Sequence, residues 1–408
     1  MEREMGADDS VGPLAHLYTE PVSQALDRST YGDWRRIANA DAVSLSFGFP
    51  FAASFPTARL EESVSGVLRE EAASALQYGG GEYAARLESF VFDREVARGI
   101  DPDAAGVTIT NGATHAIDSI CRTVLSPGDV VVVEEPTFMG VLSVFRNFGV
   151  ELVGAPVDGE GLDVDALAET LADRRERGRP APTMVYTIPN FQNPTGTTLS
   201  RGRRERLLEL ADEYDFVVLE DDAYGDLRFD GEAETPLGAL DEAGRVVRVG
   251  TFAKTIAPGV RLGWLCAHQS VVDAVDAVAA GGSATFTRSV VGYYCDRGYF
   301  DESLPELRSA YARRRDRLLD RLAERMPDGT TWTEPDGGFF VWLELPEGID
   351  TDAMLEPAIE AGVTYLPGSM FYRDEAGANA CRLSFSYASP EEIDEGIDAL
   401  ARTVRSRL

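Results

Sequence analysis

The run Phe216-Val217-Val218-Leu219-Glu220 meets the polar turn Asp221-Asp222-Ala223-Tyr224 with no spacer between them. A short β-branched run closed by a polar cluster reads as a buried strand, with reactive groups just beyond its end. The same join recurs along the chain. Val107-Thr108-Ile109 runs into Thr110-Asn111-Gly112-Ala113-Thr114, and Val130 to Glu134 into Pro136-Thr137-Phe138. Met184 to Ile188 runs into the amide-rich turn from Pro189 to Gly196. Val246 to Gly250 runs into Thr251-Phe252-Ala253-Lys254, with Arg261 following, and Leu262 to Cys266 is a sixth candidate strand. Helical patterns lie between them. One covers Ala113 to Val124. Another follows Ser200, where Arg203-Arg204 predict a wet face and Leu207-Leu208-Leu210 a buried one. Strand and helix alternate from residue 85 to 270, which predicts an α/β fold with a mainly parallel sheet.

Outside that stretch the pattern changes. Leu304, Leu307, Tyr311, Leu318 and Leu322 fall on one helical face, predicting a long helix packed on the core. Gly338 to Leu345 and Arg382 to Tyr387 read as strands, with helices over Asp352 to Ala361 and from Pro390, so the C-terminal part reads as a small α+β unit. Residues 1–55 are too irregular to fold alone and read as an arm. The expected organisation is an arm over 1–55, a large domain over 56–302 and a small domain over 303–408.

Composition narrows the function. Of 408 residues, 44% are hydrophobic and 26% charged, the balance of a globular chain with a large core. The 38 basic residues face 69 acidic ones, a net charge of −31 that repels phosphate backbones and argues against nucleic-acid binding. The acids are spread along the chain, a halophilic-type pattern that fits solubility at high salt. No run approaches the ~20 apolar residues of a membrane span, and the start MEREMGADDS has no basic-then-apolar pattern, so a cytoplasmic enzyme is expected. Cys121, Cys266, Cys295 and Cys381 form no Cys-x-x-Cys pair, and His16, His115 and His268 are scattered, so no metal site is expected.

Among the 38 basic residues a single lysine stands, Lys254; every other one is arginine. Arginine can replace lysine in an ion pair, but its guanidinium does not lose its proton to attack a carbonyl. In an open parallel sheet, ligands bind beyond the carboxyl ends of the strands. There the turns supply a helix start able to cradle an anion, a flat ring, an amide, a carboxylate, a phenol and this one amine. Each is weak alone. Together they fit a phosphorylated, nitrogen-containing aromatic aldehyde, pyridoxal phosphate.

The chain resembles the fold-type-I pyridoxal-phosphate aminotransferases of class I/II, in particular the 2-aminoadipate and aromatic amino-acid aminotransferases. The carrying motifs include LQYGGGEY (76–83), TNGATHAID (110–118), VVVEEPTF (131–138), YTIPNFQNPTG (186–196), VLEDDAYGDLRFDG (218–231), GTFAKTIAPGVRLGW (250–264), GGFFVWLELPEG (337–348), YLPGSMF (365–371) and RLSFSY (382–387). The resemblance implies a seven-stranded-type sheet sandwiched by helices, with a smaller α+β domain. It implies that Lys254 bonds the cofactor aldehyde and then carries the proton, and that Asp221 keeps the pyridine nitrogen protonated. Asp222 is then an orienting or solvent-facing neighbour. Tyr224 and Asn193 match the pair that bonds the ring oxygen, and Phe138 the stacking ring. Gly112, Ala113, Thr114, Thr251 and Arg261 match the phosphate binders. Arg382 matches the grip on the substrate α-carboxylate, with Asn190 and Gly48 near it. Tyr78 matches a tyrosine that reaches the partner subunit's phosphate, which implies a homodimer with shared active sites.

The chain departs from the usual family pattern in places. Its cradle reads Gly-Ala-Thr, Ala253 precedes the lysine, Phe138 replaces a tyrosine, the segment after Tyr78 is short, and Phe47-Gly48 stands where two glycines are usual. Three functions are compatible with this inventory: transamination between an amino acid and a 2-oxo acid, a lyase or decarboxylase using the same lysine and aspartate, and a transcription regulator built on this fold. The absence of a helix-turn-helix pattern or basic patch speaks against the last. For the substrate side chain, Arg28, Arg35 and Arg36 could meet an acid or be solvated. Phe47, Phe49 and Phe51 could face an apolar substrate or pack the arm.

Overall fold

The polar turns that follow the apolar runs gather at one edge of one sheet. The computed structural model describes residues 15–19, 22, 23, 37 and 40–408, apart from 280, 281 and 375. Arg28, Arg35 and Arg36 lie outside the described residues. After the two-residue strand β1 (Val43–Ser44) come the strands of the main sheet. They are β2 (Ala105–Thr110), β3 (Val130–Glu135), β4 (Glu151–Asp158), β5 (Gly161–Leu162), β6 (Met184–Thr187), β7 (Val217–Asp221), β8 (Val246–Thr251) and β9 (Gly263–His268). Their order is β2-β9-β8-β7-β6-β3-β4-β5. Pairings from β8 through β7, β6 and β3 to β4 are parallel, while β9 is antiparallel to both β2 and β8. The sheet is therefore mainly parallel, and the eighth strand beyond the seven-stranded type is the two-residue hairpin partner β5.

Both faces are covered, which is why the central strands are almost wholly apolar. Val131, Val133, Tyr186, Leu219, Val247 and Val249 pack under helices Ala113–Val124 and Met139–Asn147. Val132, Val185, Val218 and Val246 pack under helices Val164–Glu176 and Arg201–Tyr214. The second of these corrects the expected wet face. Arg204 is fully buried beside Leu207 and Ala211, its Nε donating to the Leu199 carbonyl at 2.9 Å and its Nη2 to the Pro189 carbonyl at 2.9 Å. A guanidinium that satisfies main-chain carbonyls can line a packed helix face as an apolar residue would.

Helix Tyr299–Arg325 leads into the C-terminal part. There β10 (Thr331–Trp332), β11 (Phe340–Glu344), β12 (Val363–Thr364), β13 (Leu366–Pro367) and β14 (Ala380–Ser384) follow. A four-stranded antiparallel sheet runs β10-β11-β14-β13, and β1 pairs in parallel with β12. Helix Thr351–Ala361 and helix Pro390–Arg405, the latter opened by a Ser389–Glu392 capping box, close this core. Leu45 and Phe47 join the same core, and the Ser384 amide donates to the Leu45 carbonyl at 2.7 Å. The segment from 40 to 51 is thus laid on the C-terminal sheet and passes between it and the main sheet. Among the described residues no helix is long and apolar enough to cross a membrane.

Candidate active site

Strand alternation decides which of two adjacent aspartates faces the site. In β7, Leu219 and Asp221 share one face while Glu220 faces the other. Asp221 lines a cavity of about 530 Å³ beneath the ends of β3, β6, β7 and β8. Its Oδ2 accepts from the Tyr186 hydroxyl at 2.7 Å, and its Oδ1 is buried without a hydrogen-bond partner. Burial pushes its carboxyl up to about 6, against the Tyr186 hydrogen bond, which lowers it. Asp222 faces the opposite way. It is buried, not solvent-facing, and pairs with Arg248, which also holds Glu95 at 2.8 Å and Glu220 at 2.6 Å.

Lys254 sits in the turn after β8 and enters the same cavity. Its Nζ donates to the Gly48 carbonyl at 3.0 Å and lies 5.9 Å from the centre of the Tyr224 ring. Burial first, and then the Arg382 charge, lowers its ammonium to about 8. Tyr224 is buried, held edge-on by Phe339 and Phe340 at ring-centre distances of 5.4 and 5.7 Å. Arg382, on β14, comes from the C-terminal sheet. Its Nη1 donates to Asn193 Oδ1 at 2.8 Å, its Nη2 to the Ser46 carbonyl at 2.6 Å, and its Nε is buried without a partner. Burial pulls its guanidinium below the ordinary arginine range, and the ring of Phe340 lies 4.0 Å beneath it.

Helix Ala113–Val124 starts at the cavity wall, and its N-cap, Gly112, provides no side-chain cap. The first-turn N–H groups and the positive end of the helix dipole are therefore offered to an anion. Gly112 has a φ of 86°, and a Cβ there would come 3.1 Å from Arg261 Nη2. A side chain there would be strained by the positive φ and would push that guanidinium outward by a few tenths of an ångström, so glycine favours the close approach. Ala113, Thr114, Thr251 and Ala253 line the same end, and Phe138 stands at the wall between helices.

The arrangement fits pyridoxal phosphate on observations internal to the chain. An unpartnered buried carboxylate oxygen suits a protonated ring nitrogen. An uncapped helix start with Arg261 suits a phosphate, and a partly neutralised amine suits an aldehyde. Buried Glu134 ties two of the contributing turns together. It accepts from Thr187 Oγ1 at 2.5 Å and Gln192 Nε2 at 3.0 Å, and Gln192 also donates to the Pro136 carbonyl at 2.7 Å.

Most of the expected residues converge here: Lys254, Asp221, Tyr224, Asn193, Phe138 and Arg382 line one cavity, as do Gly48, Ala113, Thr114, Thr251 and Arg261. Gly112 adjoins it through Arg261. Asn190 is a correction. Both ends of its amide are taken behind the sheet, Nδ2 donating to Asp222 at 2.8 Å and Oδ1 accepting from Arg204 at 2.8 Å, so it does not line the cavity. Tyr78 is 97% exposed and outside this chain's cavity. Phe47 and Phe49 stack at 4.9 Å and line the cavity, whereas Phe51 packs against Tyr311. The sequence reading passed over Tyr186 and Arg146. Tyr186 was legible in principle, since its strand precedes Asn193 and its register places it on the Asp221 face.

Comparison with known proteins agrees. The chain is 41% identical over 377 residues to an aromatic-amino-acid aminotransferase of Thermococcus litoralis, covering 91% of this chain and 90% of that one. It is 34% identical over 373 residues to a 2-aminoadipate transaminase of Thermus thermophilus, covering 90% and 91%. A kynurenine aminotransferase of Pyrococcus horikoshii, solved with PMP, superposes with a TM-score of 0.91 at 38% identity over 98% of this chain and 99% of that one. These relatives favour amino-group transfer over elimination or decarboxylation, with pyridoxal phosphate as the cofactor. With residues 60–400 matching the family described as aminotransferase class I and II, the chain belongs to that family and is a pyridoxal-phosphate-dependent aminotransferase.

Proposed function

We propose that this aminotransferase moves the amino group between an aromatic, 2-aminoadipate-type or branched-chain amino acid and 2-oxoglutarate, with glutamate as the return product. The observation that carries the reading is the convergence of Lys254, the half-bonded Asp221 carboxylate and Arg382 in one cavity. The names of the relatives support the range of side chains. When bound, pyridoxal phosphate supplies an aldehyde for the incoming amine and a ring that takes up the electron pair released at the α-carbon.

The chain's own residues do the rest. Arg382 clamps the α-carboxylate through a planar fork, for which its unpartnered Nε is available. Lys254, lowered to about 8, is partly neutral near physiological pH, so its Nζ would accept the proton from the substrate α-carbon and deliver it to the cofactor carbon that had carried the aldehyde. Asp221, steadied by Tyr186, holds a negative charge against the ring nitrogen. Asn193 and Tyr224 bond the ring oxygen, and Phe138 stacks on the ring. Gly112, Ala113, Thr114, Thr251 and Arg261 hold the phosphate.

The exposed Tyr78 supports a homodimer in which this phenol completes the partner's phosphate site. The net charge of −31 supports adaptation to high salt, with activity rising toward molar salt. For the proposed arm over 1–55, large domain over 56–302 and small domain over 303–408, support comes from the described residues Leu45 and Phe47, which join the C-terminal core. The direct test is a half-reaction: glutamate added to purified holoenzyme converts the pyridoxal absorbance to the pyridoxamine form and releases 2-oxoglutarate. No spectral change with glutamate or with any aromatic, branched-chain or 2-aminoadipate donor contradicts the reading.

A further inference from the structure

In the turn from Pro189 to Gly196, one side-chain donor is left over when every other polar side-chain group has been paired. Asn190 is held at both ends by Asp222 and Arg204, and Arg204 also takes the Pro189 carbonyl. Gln192 is fully buried and bonded through both ends of its amide. Its Nε2 donates to Glu134 Oε2 at 3.0 Å and to the Pro136 carbonyl at 2.7 Å. Its Oε1 accepts from the Thr195 amide and hydroxyl, both at 2.8 Å. Its main chain closes the turn, donating to the Thr197 carbonyl at 2.9 Å and accepting from the Gly196 amide at 2.6 Å. Between the two anchors, Phe191 stands at φ 51°, in the left-handed region that side chains resist. A turn with such a residue inside it keeps its shape only where its surroundings over-determine it.

The anchored turn presents Asn193 to the cavity. Its Oδ1 accepts from Arg382 Nη1 at 2.8 Å. A guanidinium only donates, so the oxygen end of the amide is committed there. Nδ2 is then the side-chain donor of the turn without a protein partner among the described residues. One amide thus joins the α-carboxylate grip at one end to the cofactor's ring oxygen at the other, and its aim depends on the residue before it. Glu134 gives that residue a fixed point. Its buried carboxylate accepts from Thr187, the Ile188 amide and Gln192, and no basic side chain pairs with it among the described residues.

We propose that Gln192 is a positioning residue that acts on the reaction through Asn193: locked to Glu134 and Pro136, it sets the one amide that serves the ring oxygen and Arg382 at once. This rests on the placement of Asn193 at the ring oxygen given above.

The test uses holoenzyme and two readouts. A donor on the ring oxygen lowers the pH at which the proton shared between that oxygen and the Lys254-bound nitrogen leaves, and the absorbance of the bound pyridoxal reports this pH. Gln192→Met keeps the side-chain length and adds no charge; in it the midpoint should rise by about half a unit or more, the scale of one hydrogen bond. The kcat/KM values for glutamate, phenylalanine and 2-oxoglutarate should fall by one common factor of about five or more, since all three are gripped by the α-carboxylate. Thr195→Val, a milder variant that removes one donor to Gln192, should move both readouts the same way by less. In an Asn193→Ala background neither variant should add to what Asn193→Ala does alone. A midpoint unmoved in both variants overturns the proposal. So does a shift of equal size in the Asn193→Ala background, which assigns Gln192 to general packing. If Gln192→Met does not fold, Thr195→Val and its cross with Asn193→Ala decide by the same criteria. A midpoint moved by Asn193→Ala but by neither other variant overturns this inference alone, and one unmoved by Asn193→Ala overturns the ring-oxygen reading as well.

Discussion

The Tyr186 hydroxyl fixes one oxygen of Asp221 at 2.7 Å and leaves the other buried and unpartnered at the cavity wall. A hydrogen bond on one oxygen restrains the carboxylate's rotation, which would leave the second oxygen free to accept from the protonated ring nitrogen of a bound cofactor.

From this, D221N should lower kcat by about a hundredfold or more, as for loss of a preorganised charge opposite the reacting system. Y186F should cost about tenfold. Because the Tyr186 hydrogen bond lowers the Asp221 carboxyl, Y186F should also move the acidic limb of the pH–rate profile to higher pH. Steady-state profiles of the two variants check this, and an unmoved limb in Y186F contradicts it.

The apoenzyme should show the linkage directly. Lys254 is held at about 8 against an ordinary 10.5, so between those values the unfolded chain binds a proton that the folded chain does not. Stability from this group therefore rises as pH rises through that window, and the cost of the buried ammonium is fully present below it. Asp221 and Glu134 are raised to about 6 and about 7, so the folded chain holds more protons and their contribution falls as pH rises through their windows. K254M apoenzyme should melt about 2 °C higher than wild type at neutral pH. The gain should vanish once pH passes the ordinary lysine value. A gain independent of pH would mean that Lys254 packing, and not its charge, is responsible.

Behind the site, Arg248 pairs with Glu95, Glu220 and Asp222, all of them buried, and Arg98 shares Glu95. R248M leaves three carboxylates without their common partner and should destabilise the chain by about 3–5 kcal/mol. Urea unfolding measures it, and a loss within experimental error would show that the cluster is not needed for stability.

Gly112 offers a controlled test of the anion cradle. G112A should weaken pyridoxal phosphate binding by about tenfold, since its Cβ meets Arg261 and its φ is positive. G128A carries the same backbone strain at φ 91° but meets nothing within 4 Å, so it should leave the cofactor affinity near wild type. Titration of the two apoenzymes separates crowding of Arg261 from backbone strain. Equal effects contradict the cradle.

The strand-end logic points to Lys254, Asp221 and Asn193 because each lies in the turn that closes an apolar run, and helix Ala113–Val124 has the bounds its periodicity suggested. What it missed has physical reasons. β4 lies near the sheet edge, with Gly154 and Pro156 inside it and only Ala155 fully buried, so no apolar run announced it. Arg204 and Asn190 are polar residues turned inward by hydrogen bonds to groups distant along the chain, which no local pattern records. Arg146 resembles any surface arginine of an amphipathic helix until the cavity beside it is seen.

The account turns on the Lys254 amine, and K254A holoenzyme in a single-turnover reaction with glutamate tests it most directly. Loss of the covalently bound pyridoxal spectrum, with conversion to the pyridoxamine form slowed at least about a thousandfold and partly restored by a small exogenous amine, is the expected result. Conversion at the wild-type rate, without added amine, would contradict it.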